Sequence, residues 1–139
     1  MKRILVAHDG SRQSEKALKE AIRLATSFGA SLTVISVVPE LYLTEITDID
    51  RENLSELLIA ETKSLMNRVK TSLKGKKIRQ KFLIRQGSPA DRIIDTAIKQ
   101  KTDLIVTGSY GRHGAKRFLM GSVSSKIVDH APCSVLVVK

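Results

Sequence analysis

The feature that most constrains this chain is an alternation. Short runs of apolar, partly β-branched residues take turns with longer segments whose apolar residues recur at helical spacing. Arg3-Ile-Leu-Val-Ala7, Leu32-Thr-Val-Ile-Ser-Val-Val38, Asp103-Leu-Ile-Val-Thr107 and Ser134-Val-Leu-Val-Val138 are runs of the first kind. A strand with one wet face alternates polar and apolar residues. These runs largely do not, so burial on both faces is expected. Strands of that kind separated by helices pack as right-handed βαβ units, in a parallel sheet covered by helices on both sides. The expected class is α/β.

The helical segments carry their own punctuation. Ala17, Leu18, Ala21, Ile22, Ala25 and Phe28 share one helix face, with Ser11 or Ser14 placed to cap it and Gly29 just past its end. Leu54, Leu57, Leu58, Leu65, Val69 and Leu73 mark a second helix that breaks at Gly75. Residues 78–84 alternate more than the other strands do, as expected of an edge strand. Ser88-Pro-Ala-Asp91 reads as a helix start, with serine as the cap, proline at the first helical position and an acid in the first turn. The buried face of that helix is expected to be Ile93, Ile94, Ala97 and Ile98, and a fourth helix runs from Ser122 to His130, stopped before Pro132. Residues 40–51 (Leu41, Tyr42, Leu43, Ile46 and Ile49 among acids and threonines) show no steady period. They are expected to form a mobile connection that serves as a lid or contacts a partner. With 139 residues and no linker, repeat or low-complexity tract, the expectation is one domain over residues 1–139.

In open parallel sheets a ligand lies beyond the carboxyl ends of the strands, where strand order reverses. Two segments after strands therefore matter most: Asp9-Gly10-Ser11 after the first, and the glycine segment after the fourth. In the latter, Gly108 and Gly111 are separated by two residues, and nine more lead to Gly121-Ser122. Glycine lets backbone N–H groups approach an anion closely, and Ser122-Val123-Ser124 opens a helix whose free N–H groups and dipole favour phosphate. Arg112, His113, Gly114, Lys116 and Arg117 lie between, where cations offset phosphate charge. The competing reading is a loop that only turns the chain and caps a helix. The chain has no Gly-x-x-x-x-Gly-Lys-Ser/Thr run, no Gly-x-Gly-x-x-Gly after the first strand, and Arg85-Gln86 where a phospho-receiver would carry its acid.

Gly-x-x-Gly, nine residues, Gly-Ser resembles the nucleotide motif of the universal stress protein family, ATP-binding branch. The likeness extends through Lys2-Arg-Ile-Leu-Val-Ala-His-Asp-Gly-Ser11, Gly87-Ser-Pro-Ala-Asp91, Asp103-Leu-Ile-Val-Thr-Gly-Ser-Tyr-Gly-Arg112 and Ala131-Pro-Cys-Ser-Val-Leu-Val-Val138. It implies a Rossmann-like, doubly wound five-stranded sheet in the order 3-2-1-4-5. It also implies that Asp9 meets the nucleoside, that Ala7 and Val37 hold the adenine, and that Gly108, Gly111, Gly121, Ser122, Val123 and Ser124 contact ribose and phosphates. Thr107 stands where the family often has an apolar residue such as methionine, and Tyr110 where it often has histidine or arginine. The competing role for Asp9 is an Asx-type turn cap. The implied ligand is ATP, or AMP or ADP, with a divalent cation such as Mg2+ compatible and its ligands undetermined. The resemblance further implies a homodimer through the last strand, Val135 to Val138, which is too apolar to leave as an open edge.

Charge supplies the competing function. The net charge is +10, and Lys63, Arg68, Lys70, Lys74, Lys76, Lys77, Arg79, Lys81 and Arg85 form a stretch with no acid among them. Such a stretch steers anions, including nucleic acid or anionic lipid, although aromatics at 4% offer little for base stacking. A solvated helix face is the simpler explanation, and nucleic acid is not the expected partner. Cys133 is the one cysteine, which excludes an intramolecular disulfide, and no apolar run has the length of a membrane span or follows the pattern of a signal peptide. A cytoplasmic location is expected. His8 is expected to be a packed turn residue and His130 to suit its helix end, and no residue stands out as a base for activating water. Three functions therefore stay open: a nucleotide-responsive regulatory module in stress response, a nucleotide-independent interaction protein using the basic face, and a slow ATPase. Self-phosphorylation at Ser122 or Ser124 is an adjunct to the last.

Overall fold

The computed structural model describes residues 1–40, 47–110 and 120–139. Nine elements follow in strict alternation: β1 (Arg3–Ala7), α1 (Arg12–Phe28), β2 (Ser31–Val38), α2 (Asp48–Leu73), β3 (Gln80–Gln86), α3 (Pro89–Lys99), β4 (Leu104–Gly108), α4 (Ser122–His130) and β5 (Ser134–Val138). The strands form one sheet in the order β3-β2-β1-β4-β5, and every adjacent pair is parallel. The expected doubly wound class and strand order are both present.

The strand pattern dictates the layering. Successive side chains point to opposite faces of a strand, so runs such as Ile4-Leu5-Val6 feed two cores. Ile4, Val6, Leu32, Val34 and Val106 pack with Ala17, Leu18 and Ala21 of α1 and Met66, Val69 and Leu73 of α2. Leu5, Ile35 and Ile105 pack on the other face with Ala90, Ile93 and Ala97 of α3 and Ile127 of α4. Leu5, Val6, Val34, Ile105 and Val106 are fully buried, each a side chain whose burial contributes roughly 1.5–3 kcal/mol.

Local signals set the helix ends, with some departures. Ser11 caps α1 by accepting the Ser14 N–H at 3.1 Å, and Gly29 closes it at φ 63°. Gly75, at φ 86°, supplies the left-handed turn after α2. That helix begins earlier than expected. Thr47 accepts the Asp50 N–H at 3.2 Å and donates to its carboxylate at 2.7 Å, a reciprocal cap that turns residues 48–51 into helix. The rest of the predicted lid, residues 41–46, lies outside the described residues. Ser88 holds the cap position of α3 but makes no capping bond to the backbone. Its hydroxyl instead helps hold the Asp91 carboxyl below the ordinary value. Phe28, Leu57 and Ile98, expected on buried faces, are more than half exposed. Phe28 and Ile98 lie in the last turns of their helices, and Leu57 sits in the part of α2 that contributes no buried residue.

Candidate functional site

The sheet order places the split between β1 and its neighbours at the carboxyl ends of β1 and β4. Their ladder runs from Ile4↔Leu104 to Val6↔Val106, after which Ala7 pairs with Ile35 and Thr107 with Val137. The ladder between the two strands ends there, and the segments that leave them start side by side at the strand-order reversal, where such sheets take ligands.

On the β1 side, the turn is held by its own side chains. Asp9, exposed, accepts the Ser11 N–H through Oδ1 at 2.9 Å, the Asx geometry foreseen as its competing role. His8 is buried; its Nδ1 accepts the Gly10 N–H at 3.2 Å and its Nε2 lies 2.9 Å from Glu15 Oε1. A ring nitrogen that accepts carries no proton, so the Gly10 bond assigns the proton to Nε2, facing Glu15. Both nitrogens of His8 are thus engaged, and the residue is a turn-locking side chain. The Ser36 hydroxyl adds a 2.6 Å bond to the His8 carbonyl, tying the turn to β2.

On the β4 side the organising residue is Ser109. Its N–H donates to Val138 O at 2.9 Å, and its carbonyl accepts both the Gly121 N–H at 2.7 Å and the Ser124 hydroxyl at 2.8 Å. The start of α4 is therefore fastened to the exit of β4. Gly121 is required by close approach: a Cβ there would stand 3.1 Å from Tyr110 Cα and 3.4 Å from Tyr110 Cβ. Gly108 is tighter still, because its Cβ would meet Gln13 Cβ at 2.9 Å and Gln13 backbone at 3.0 and 3.1 Å. Gly108 thus serves the contact of α1 with β4, a reason independent of any ligand.

The helix that follows has Gly121 in the cap position and, among the described residues, no side-chain cap. Its first N–H groups have no partner within the helix, as at any helix start, and align with the positive end of the dipole. Ser122 is exposed beside them, whereas the Ser124 hydroxyl is turned inward, shared between Ser109 O and Gly121 O. Val123, Ala7 and Val37 are partly buried against the same α3/α4-side core and form an apolar wall. Thr107 is buried, its hydroxyl 3.3 Å from Gly108 O, and Tyr110 is half-buried. Of the residues predicted for the site, Gly108, Tyr110, Gly121 and Ser124 are joined through Ser109. Asp9 stands on the opposite lip. Gly111, with Arg112, His113, Gly114, Lys116 and Arg117, lies outside the described residues.

Two residues of this region escaped the sequence reading. Ser109 sat inside the quoted motif without a role. Gln13 is buried against Gly108, and its Oε1 has no hydrogen-bond partner among the described residues. No periodicity or motif marks a glutamine in the first turn of a helix as buried. Among the described residues no three His, Cys, Asp or Glu side chains group to hold a metal ion, and no helix is long and apolar enough to cross a membrane. Cys133 packs partly against the α3/α4-side core, where burial pushes its thiol above the ordinary value.

The whole chain, residues 1–139, matches the profile of the universal stress protein family. It is similar to a universal stress protein of Methanocaldococcus jannaschii, with 38% identity over 143 residues, 99% of this chain and 82% of that protein. In structure it is similar to the universal stress protein UspA from Lactobacillus plantarum, at a TM-score of 0.90 and 33% identity over 99% of this chain and 97% of the other. A universal stress protein from Archaeoglobus fulgidus solved in complex with dAMP shares the fold, at a TM-score of 0.71 and 23% identity over 100% of this chain and 98% of that one. The chain belongs to the universal stress protein family.

Proposed function

We propose that this protein binds ATP, or AMP or ADP, at the opening between β1 and β4 and acts as a nucleotide-responsive regulatory module of a cytoplasmic stress response. The observation that carries the reading is the start of α4. It is an uncapped helix N-terminus fastened by Ser109 at the strand-order reversal, with Ser122 exposed beside it. Phosphate favours that end of a helix on both charge and hydrogen bonding. In this reading Ala7 and Val37 hold the adenine, Asp9 meets the nucleoside, and Gly108, Gly111, Gly121, Ser122, Val123 and Ser124 contact ribose and phosphates, with Thr107 and Tyr110 beside them. The fold-mate from Archaeoglobus fulgidus, solved with dAMP, makes an adenine nucleotide the first ligand to try. Residues 1–139 act as one domain, and pairing of Val135 to Val138 with a second copy covers the β5 edge. A divalent cation such as Mg2+ is compatible with the phosphates in this proposal, with its protein ligands undetermined. Its function is binding; occupancy changes the surface offered to a partner by favouring one conformation over another.

Isothermal titration of protein stripped of co-purified ligand tests the reading. Saturable heat with ATP or AMP is expected, and no heat with any adenine nucleotide rejects it.

One observation favours a second reading, an interaction protein that needs no nucleotide. Lys63, Arg68, Lys70, Lys74, Lys76, Lys77, Arg79, Lys81 and Arg85 are all exposed. The one aromatic within this stretch, Phe82, is half-buried, with Lys70 Nζ 5.6 Å from its ring centre. Retention on an anionic partner that falls steeply with salt and ignores ATP would favour this reading over the first.

A further inference from the structure

At the β3 edge of the sheet, where Arg85 is the ladder partner of Val37, a small cleft separates β3 from α3. Its described lining is Leu83 and Arg85 from the strand and Arg92, Asp95, Thr96, Lys99 and Gln100 from the helix. The helical residues follow the i, i+3, i+4, i+7, i+8 pattern of a single helix face, and Arg85 lies on the same face of β3 as Leu83. This stripe gives the margin of the α3-side layer a charged lining where the interior of the layer is apolar.

The charges in the cleft do not cancel. Three cations face one carboxylate, so the lining carries two surplus positive charges. Asp95 is committed, since its Oδ2 lies 2.8 Å from Arg92 Nη2. The rest of Arg92 is positioned from the other side by Gly87, where a Cβ would stand 3.4–3.6 Å from Arg92 Cδ, Cγ and Nε. Arg92 Nε is buried and has no hydrogen-bond partner among the described residues. Gln100 accepts the Thr33 hydroxyl through Oε1 at 3.0 Å, which fixes the orientation of its amide and leaves its NH2 group to donate. The Arg85 guanidinium spends one nitrogen on Ile84 O at 3.1 Å. The cleft thus offers arginine, lysine and amide donors and an excess of two positive charges.

The space limits what fits. At about 110 Å³ the cleft holds three or four waters at roughly 30 Å³ each, enough for a tetrahedral oxyanion. Pockets for drug-sized ligands run from roughly 300 Å³ upward, so the cleft is too small to enclose a nucleoside. A phosphate group carries about two negative charges near neutral pH, matching the excess on the lining.

We propose that this cleft is a second, phosphate-selective anion site, taking inorganic phosphate or the phosphate of a small monoester, separate from the opening at α4. The experiment is a titration of the nucleotide-free protein with sodium phosphate, against sodium chloride at matched ionic strength. It is followed by NMR at the Arg92 Nε–H, the Gln100 side-chain amide and the Gly121 and Ser122 backbone amides. Saturable shifts at Arg92 and Gln100 with phosphate but not chloride are expected. Arg85→Gln and Lys99→Gln, both changes at exposed positions that leave the core intact, should each weaken the midpoint about tenfold. Glycerol phosphate run in parallel identifies the source: tighter binding points to an esterified ligand, equal or weaker binding to the free ion. Shifts that chloride reproduces, or that persist undiminished in both variants, overturn the site. Shifts confined to Gly121 and Ser122 also overturn it, while leaving the α4 opening standing.

Discussion

The two helices that start beside the strand-order reversal occupy equivalent places in the topology and have opposite chemistry. The start of α1 is closed by its own side chains. Ser11 Oγ accepts the Ser14 N–H, the Ser14 hydroxyl donates back to Ser11 O at 2.8 Å, and Asp9 holds the Ser11 N–H. The start of α4 has glycine in the cap position, and the nearby Ser124 hydroxyl points to carbonyls. The helices are also anchored differently. Ala17, Leu18, Ala21 and Ala25 bury α1, whereas Ile127 and Ser124 are the buried residues of α4. One helix start is closed by its own side chains, and the other has no side-chain cap among the described residues.

The largest effect should come from the glycine that joins the two halves. Gly108→Ala places a methyl group within 3.1 Å of Gln13 backbone atoms. Backbone cannot move aside as a flexible side chain can, so a loss of about 1–3 kcal/mol is expected on overpacking grounds. Denaturant unfolding measures it, and an unchanged midpoint would mean that the contact of α1 with β4 relaxes freely. Gly121→Val should lower both stability and binding, because its Cβ would stand 3.1 Å from Tyr110 Cα. The added atoms crowd Tyr110 and the helix start, so adenine nucleotide affinity should fall at least about tenfold, while Ser122→Ala costs about 1 kcal/mol of binding through one lost donor. If titration calorimetry finds both variants binding like the parent, the open helix start is not where the phosphates lie.

The closed end predicts the reverse pattern. Ser11→Ala removes the cap of α1 and should cost about 1 kcal/mol of stability, with nucleotide affinity unchanged. A loss of affinity without loss of stability would erase the contrast between the two helix starts. Gln13→Met tests the same region with the opposite sign. A buried acceptor without a partner costs about 1–3 kcal/mol, and an apolar side chain of similar shape avoids that cost. The variant should therefore melt higher than the parent. A lower melting temperature would show that Oε1 has a partner in solution.

The same contrast explains how far the sequence could be read. Strand positions followed from unbroken runs such as Ile4-Leu5-Val6, because burial on two faces leaves no alternative periodicity, whereas the strand order came from the family resemblance. The reciprocal cap at Thr47 was also present in the sequence, yet the uneven apolar spacing around Ile49 hid the helix it starts. Exposure of Ile98 was not legible, since an isoleucine in a last turn fits the stripe whether or not the sheet reaches it. At the candidate site, the glycine spacing marked the segment between β4 and α4. It did not distinguish Gly108, needed for helix–strand contact, from Gly121, needed at the helix start. Nor did it give Ser109 its role, because a carbonyl that gathers two donors leaves no mark on residue type.

The smallest expected effect concerns what holds α4 from the side. Lys126 Nζ lies 2.9 Å from Asp91 Oδ1, linking α4 to the first turn of α3. Lys126 is the main reason that the Asp91 carboxyl sits below its ordinary value of 3.8. A carboxyl whose folded value is depressed stabilises the fold above the unfolded value and loses that contribution as pH falls through the folded one. The link should therefore be constant at neutral pH and fade below about pH 4. Both side chains are about half exposed, so solvent screening keeps the contribution small. Lys126→Met should be slightly less stable than the parent at pH 7, with the difference closing as the pair is acidified. Asp103, held low by the N–H groups of Lys2 and Arg3, titrates in both proteins and cancels in the comparison. If the difference persists undiminished to pH 2, the stem of Lys126 supports α4 by packing, and the ion pair contributes nothing.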